Sequence, residues 1–306
     1  MNESIRQQAL QKAVQSKFRG HQTLNSKVKP IYPAGIEREF QRVSNAYLRL
    51  VNQVVKEYMP EIKKAAAAER DSRRRQDDAG DLMKAIEKAF RAMRLDLDKK
   101  TEAFGLRKKL EGLANMTRKL SIAEWKRTVQ DTLGLDIMDD YYMGEFYQQV
   151  LQSWIEENVG LIKSLPQEAL TEMQNIVSQG FQTGSTVTSI EKDIRTTYNA
   201  KKSSARLLAR DQLGKLNGEL TRQQQTDAGV TEYIWSDSGD SRVRDRHHEL
   251  NGKKFRWDDP PVVTPPGKPV RRCHPGEDYQ CRCVALPVFD ISTIDVPASG
   301  RMKGGG

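Results

Sequence analysis

The chain has 306 residues, with 50 Lys and Arg against 41 Asp and Glu, a net charge of +9. Its apolar share is 37% and its charged share 30%, polar for a globular protein but not in the range of disordered chains. No run approaches the ~18 apolar residues of a membrane span. The opening Met1-Asn2-Glu3-Ser4-Ile5-Arg6 lacks the order of a secretory signal, and three cysteines cannot form a disulfide framework, so a soluble chain, cytosolic when made and with reduced thiols, is expected. The charge is uneven: residues 1–120 carry 27 basic and 15 acidic side chains, residues 121–190 carry 3 and 10, and residues 191–306 carry 20 and 16. A basic first third and an acidic middle suit contact within the chain or between copies, or a face toward nucleic acid, where Lys and Arg displace counterions. The plain alternative is the solvated face of long helices.

Length alone suggests two domains. Residues 1–34 read as a leader or arm, aperiodic and ending among Pro30 and Pro33. From Gly35 the pattern turns helical: Phe40, Val43, Tyr47, Leu50, Val51, Val54 and Tyr58 recur at steps of three and four. Pro60 is expected to break or restart this helix. An alanine-rich basic stretch from Ile62 to Arg75 follows, then Asp81 to Phe104 with Leu82, Ile86, Phe90 and Met93 on one face. Ser121 with Glu124 matches a capping box ahead of Trp125. Tyr141 to Val159 is helical, Pro166 suits the first residue of a further helix, and Thr188 with Glu191 is a second capping box. Lys202 to Asp227 reads as one long helix stopped by Gly229 in a left-handed conformation.

The texture changes after Gly229. Residues 231–235 read as a strand, Asn251-Gly252 as a turn, and Cys283 to Leu286 as a returning strand. Six of the twelve prolines fall in residues 258–276, which excludes a helix or central strand there. The fold expected is mainly α: an elongated helical N-terminal body, 35–184, then a small α+β C-terminal domain, 185–290, entered through the long helix, with a flexible tail, 291–306.

All three cysteines and three of the four histidines fall between positions 247 and 283. Thiolate and imidazole suit tetrahedral zinc, and a small domain with a proline-rich loop gains from a metal. A subset of four among His247, Cys273, His274, Cys281 and Cys283 is the candidate ligand set, with His248 an alternative to His247. Only Arg282 separates Cys281 from Cys283, closer than paired cysteines of common zinc sites, yet on an extended chain both point to one face. The competing reading is small buried cysteines with no metal. His247, His248 and Asn251 with a Cys-His pair also suggest a metal-dependent nuclease, although the proline-rich loop divides the pieces. A cysteine hydrolase lacks context for an activated nucleophile, and no phosphate loop is present. Asp240 and Arg244 suit a structural ion pair or turn cap.

Asp240-Ser241-Arg242-Val243-Arg244-Asp245-Arg246-His247, then Leu250-Asn251-Gly252 and finally Cys281-Arg282-Cys283, in this order, resemble the phage head morphogenesis family of Mu F-like minor head proteins. The likeness starts in the helix at Ala205 to Gln212, continues through Asn217, Gly229 and Trp235, and spans roughly residues 185–288. It marks Asp240, Arg242, Arg244 and Gly252 as structural motif positions and His247, rather than His248, as the family position. The resemblance implies a minor capsid protein with no enzymatic turnover. Such a protein resides in the virion, at the head interior or portal vertex, after assembly in the host cytoplasm. Its implied partners are the portal protein and the major capsid or scaffold protein; packaged DNA enters by charge. A role in head assembly and in DNA packaging or ejection is expected, with the metal-dependent nuclease as the alternative.

Overall fold

In the computed structural model, residues 3–75, 81–241 and 243–297 are described. In chain order the elements are α1 (Glu3–Phe18), β1 (Thr23–Asn25), α2 (Ala34–Arg75), α3 (Asp81–Ala103), α4 (Leu106–Leu133), a short 3-10 helix (Asp139–Met143), α5 (Glu145–Gln182), α6 (Val187–Asp227), β2 (Glu232–Ser236), α7 (Asp245–Leu250), β3 (Lys254–Arg256) and β4 (Val284–Asp290). The fold is mainly α with one antiparallel sheet. No helix among the described residues is long and apolar enough to cross a membrane.

The chain divides into two compact units that are discontinuous in sequence. A helical unit comprises residues 38–112 and 155–209; a sheet unit comprises residues 1–37, 113–154 and 210–306.

The helical unit realises the apolar stripes read from the sequence. Leu48, Val51, Val54 and Ile62 of α2 pack with Ile86, Phe90, Met93 and Leu97 of α3, with Leu170, Met173 and Val177 of α5, and with Ile190 and Ile194 of α6. Each such side chain stabilises by roughly 1.5–3 kcal/mol when fully buried, and this outweighs two local penalties. Pro60 does not end α2, and Pro166 does not begin a helix; both lie inside uninterrupted helices of 42 and 38 residues. Pro60 is exposed, so water can reach the carbonyl that loses its amide partner. Pro166 is buried, flanked by Leu165, Ala169 and Leu170 on the core. The start of α6 also differs from expectation. Thr186, not Thr188, caps it: its Oγ1 accepts the Ser189 amide at 3.2 Å.

In the sheet unit the strand order is β1-β4-β2-β3, every pair antiparallel. Leu24 is opposite Phe289, and Ile234 is opposite Leu286 on one side and Lys254 on the other. The segment read as a leader thus supplies a helix and an edge strand. α1 buries Leu10, Val14 and Phe18 at four-residue steps, and β1 is bound to the far end of the chain. Both edge strands, β1 and β3, have three residues, short enough to discourage pairing with other chains. The tail expected to be flexible is packed as far as residue 297: Ile294 and Val296 are buried, and the Asp295 amide donates to the Ala228 carbonyl at 2.9 Å. Gly229 takes φ +75°, and a Cβ there would meet Thr293 O at 1.8 Å, so the helix stop read from the sequence is also a close approach of two chain segments.

Ser121 is not a cap. It lies within α4, buried, and its hydroxyl donates to Gln224 Oε1 of α6 at 3.1 Å. Glu124 instead accepts the Ile31 amide at 2.9 Å, which ties the segment before α2 to α4.

Candidate metal centre

The site is built where α6, α7 and the chain entering β4 converge. α6 presents Gly214 and Gly218 one turn apart. A Cβ at Gly214 would lie 2.9 Å from Cys281 O, and one at Gly218 would lie 3.0 Å from Pro275 O. Only glycine lets residues 275–281 lie this close to the helix. The loop then turns sharply at Gln280, whose φ of 52° is uncommon for a side-chain-bearing residue. Its amide is held by Asp211 Oδ1 of α6 at 2.9 Å. The following three residues run extended, so their side chains alternate. Cys281 and Cys283 face α7, and Arg282 faces the other way.

α7 answers with His247, 2% exposed. Its Nδ1 lies 3.6 Å from Cys281 Sγ and 3.6 Å from Cys283 Sγ. Its Nε2 donates to Asp278 Oδ2 at 3.0 Å. Asp278 is buried too, with Arg244 Nη1 at 3.6 Å and Arg271 Nη2 at 3.2 Å. Trp235 Nε1 is buried with no oxygen partner and acts on the Cys283 sulfur. His247, Cys281 and Cys283 are a group that can hold a metal.

The electrostatics follow from these contacts. Burial opposes charge on His247, yet the Asp278 carboxylate and the Cys281 sulfur outweigh it and lift the imidazole to about 9. Burial likewise opposes charge on Asp278, and the His247 hydrogen bond, with Arg271 and Arg244, holds it below the ordinary carboxylate value. The Cys283 thiol and the His247 ring hold Cys281 well below an ordinary thiol, while the neighbouring Cys281 sulfur and burial push Cys283 up. These contacts favour the ionised form of the Cys281 sulfur, the form that a soft cation takes, and a metal at Nδ1 displaces the proton that the ring otherwise holds there.

Not every residue singled out in the sequence joins this group. His274 is turned toward β2: its Nδ1 accepts from Tyr233 Oη at 2.8 Å, and burial, aided by Arg222, depresses it to about 4. Cys273 packs on the cluster that includes Tyr233, Trp257, Cys281 and Cys283 but is not in the group of ligand atoms, and burial raises its thiol to about 11. His248 points away, its side chain 75% exposed and its Nδ1 2.8 Å from Asp237 Oδ2. Asn251 serves the turn, its Oδ1 accepting the Asp237 amide at 3.0 Å, and Gly252 takes φ +78° as that turn requires. Arg244 precedes α7 and donates to Tyr279 O at 2.6 Å; its ion-pair partner is Asp278, not Asp240. Asp240 accepts the Val243 amide on its carbonyl at 3.1 Å. Arg242 lies outside the described residues.

Two residues to which the sequence assigns no role complete the site. Asp278, three positions before Cys281, orients the histidine. Glu37, at the start of α2, is 3% exposed and receives Arg282 Nη2 at 2.8 Å and Arg210 Nε at 3.2 Å. The arginine between the two cysteines is thereby clamped by a residue 245 positions away. Charged neighbours of Arg282 were not legible in the local sequence; the alternation that turns it away from the cysteines was.

Residues 171–286 match the family described as Phage Mu protein F like protein. The C-terminal portion is thus a Phage Mu protein F-like domain, covering the end of α5, all of α6 and the chain as far as the middle of β4. A curated protein of Haemophilus influenzae, described as uncharacterized, is 32% identical over 168 residues, 55% of this chain and 36% of that protein. The chain spans about a third of the length of this relative. No solved structure matches.

Proposed function

We propose that the chain is a phage minor head protein that acts at the portal vertex in head assembly, with the portal protein as its principal partner. The observation that supports this reading is the Mu F-like match over residues 171–286, which falls on the helix and sheet that build the site. Long helices with large exposed faces suit contact with portal and with major capsid or scaffold protein. The excess of basic residues in 1–120 suits proximity to packaged DNA, and with it a part in packaging or ejection. The protein enters the virion after assembly in the host cytoplasm, at the head interior or portal vertex. The Cys281/Cys283/His247 centre holds one zinc ion that secures the loop before β4 to α7, a structural task without turnover. Mass spectrometry of purified heads from the phage or prophage that encodes the chain is the test. The expected result is a few copies per head and aberrant or empty heads when the gene is deleted. Normal infectious heads without the protein overturn this reading. Plasmid cleavage by the zinc-loaded protein that is lost in His247→Ala replaces it with the nuclease.

A further inference from the structure

Zinc bound to sulfur at ~2.3 Å and to imidazole nitrogen at ~2.05 Å, with tetrahedral angles, sets sulfur and nitrogen about 3.6 Å apart. His247 Nδ1 stands at 3.6 Å from each of the two sulfurs. Both nitrogen–sulfur distances are thus those of a zinc tetrahedron, and all three ligand atoms lie within 4.8 Å of one another. The hydrogen bond of Nε2 to Asp278 at 3.0 Å fixes the ring orientation and leaves Nδ1 for the metal.

The fourth vertex has no protein ligand among the described residues. The group of possible ligands stops at three: His274 is engaged by Tyr233, and Cys273, which packs on the cluster that holds Cys281 and Cys283, is not among the ligand atoms that meet. Against His247, Cys281 and Cys283 lies a cavity of about 280 Å³ with Ser238, Asp240 and Arg244 in its wall. At ~30 Å³ per water it accommodates several solvent molecules. A structural zinc site is normally closed by four protein ligands, whereas three ligands facing a solvent cavity are the mark of an open site.

We propose that His247, Cys281 and Cys283 form a mononuclear zinc centre whose fourth position opens on this cavity and holds a water that a small monodentate anion replaces. This rests on the zinc reading above and goes beyond it: the centre binds an exchangeable ligand instead of only fastening a loop. Cobalt substitution of the full chain, with azide as the anion probe, tests it. One cobalt per chain is expected, with sulfur-to-cobalt charge transfer and intense tetrahedral visible bands. These bands are lost in Cys283→Ser and His247→Ala, with circular dichroism reporting the fold of each variant. They are retained in Cys273→Ala and His274→Gln, and azide shifts them saturably. A chain that binds neither zinc nor cobalt overturns the zinc reading itself. Bound cobalt whose bands ignore azide, or whose bands are lost in Cys273→Ala, establishes a closed four-ligand centre and overturns the open position alone.

Discussion

Glu37→Ala is expected to destabilise the sheet unit. Glu37 is 3% exposed and faces Arg282 and Arg210, whose side chains are 19% and 26% exposed. Burial alone raises a carboxyl, yet Arg282 and Arg210 hold this one below its ordinary value. Removing one partner of a buried ion pair costs about 3–5 kcal/mol. Both guanidiniums keep some access to water, so the lower end, about 3 kcal/mol, is the better figure. For a unit of this size about 3 kcal/mol lowers the melting temperature by roughly 6–12 °C. Calorimetry of wild type and Glu37→Ala measures it. Glu37→Gln, which keeps an acceptor but no charge, falls between the two. The double variant Glu37→Met with Arg282→Met recovers part of the loss, since the more buried of the two guanidiniums is then gone and only Arg210, 26% exposed, is left without the carboxylate. A Glu37→Ala melting temperature within about 2 °C of wild type refutes the clamp.

Gly214→Ala forces a methyl group to within 2.9 Å of Cys281 O. Displacing the loop costs about 1–3 kcal/mol and weakens metal retention, measured by competition with a chromophoric chelator. His274, buried and depressed to about 4, contributes stability that is complete above its unfolded value of about 6.5 and is lost as pH falls from there toward 4, by up to about 3 kcal/mol. Urea midpoints between pH 4 and 7 should show this slope, and His274→Gln should flatten it. Pro60→Ala restores an amide to an exposed helix interior and stabilises the helical unit by about 1 kcal/mol, read as a higher urea midpoint; an unchanged midpoint means that α2 bends there to suit its packing.

What could be read from the sequence was what depends on local order. The stripes of α2 and α3, the stop at Gly229, and β2 and β4 follow from period and composition. So does the pairing of Cys281 with Cys283 on one face. The leader was misjudged because α1 buries only three apolar side chains, Leu10, Val14 and Phe18, among glutamines and lysines, and because β1 has three residues. Their structure is imposed by β4, far along the chain. The two prolines were read by their backbone penalty, which tertiary packing overrode. His274 could not be told from His247 by type or spacing. The difference lies in the partners, a tyrosine hydroxyl for one and a carboxylate with two sulfurs for the other.

The pairing of Thr23 with Asp290 also sets a timetable. At ~5–20 residues per second of synthesis, β1 waits on the order of 10–50 s for its partner strand to be made. The helical unit, complete by residue 209, can gather its own core several seconds earlier. Glu37 and α1 spend that interval without Arg282 and β4. The sheet is therefore a late product of translation, and a chain cut short before residue 284 leaves the ribosome with β1 and β2 unjoined by the strand that lies between them.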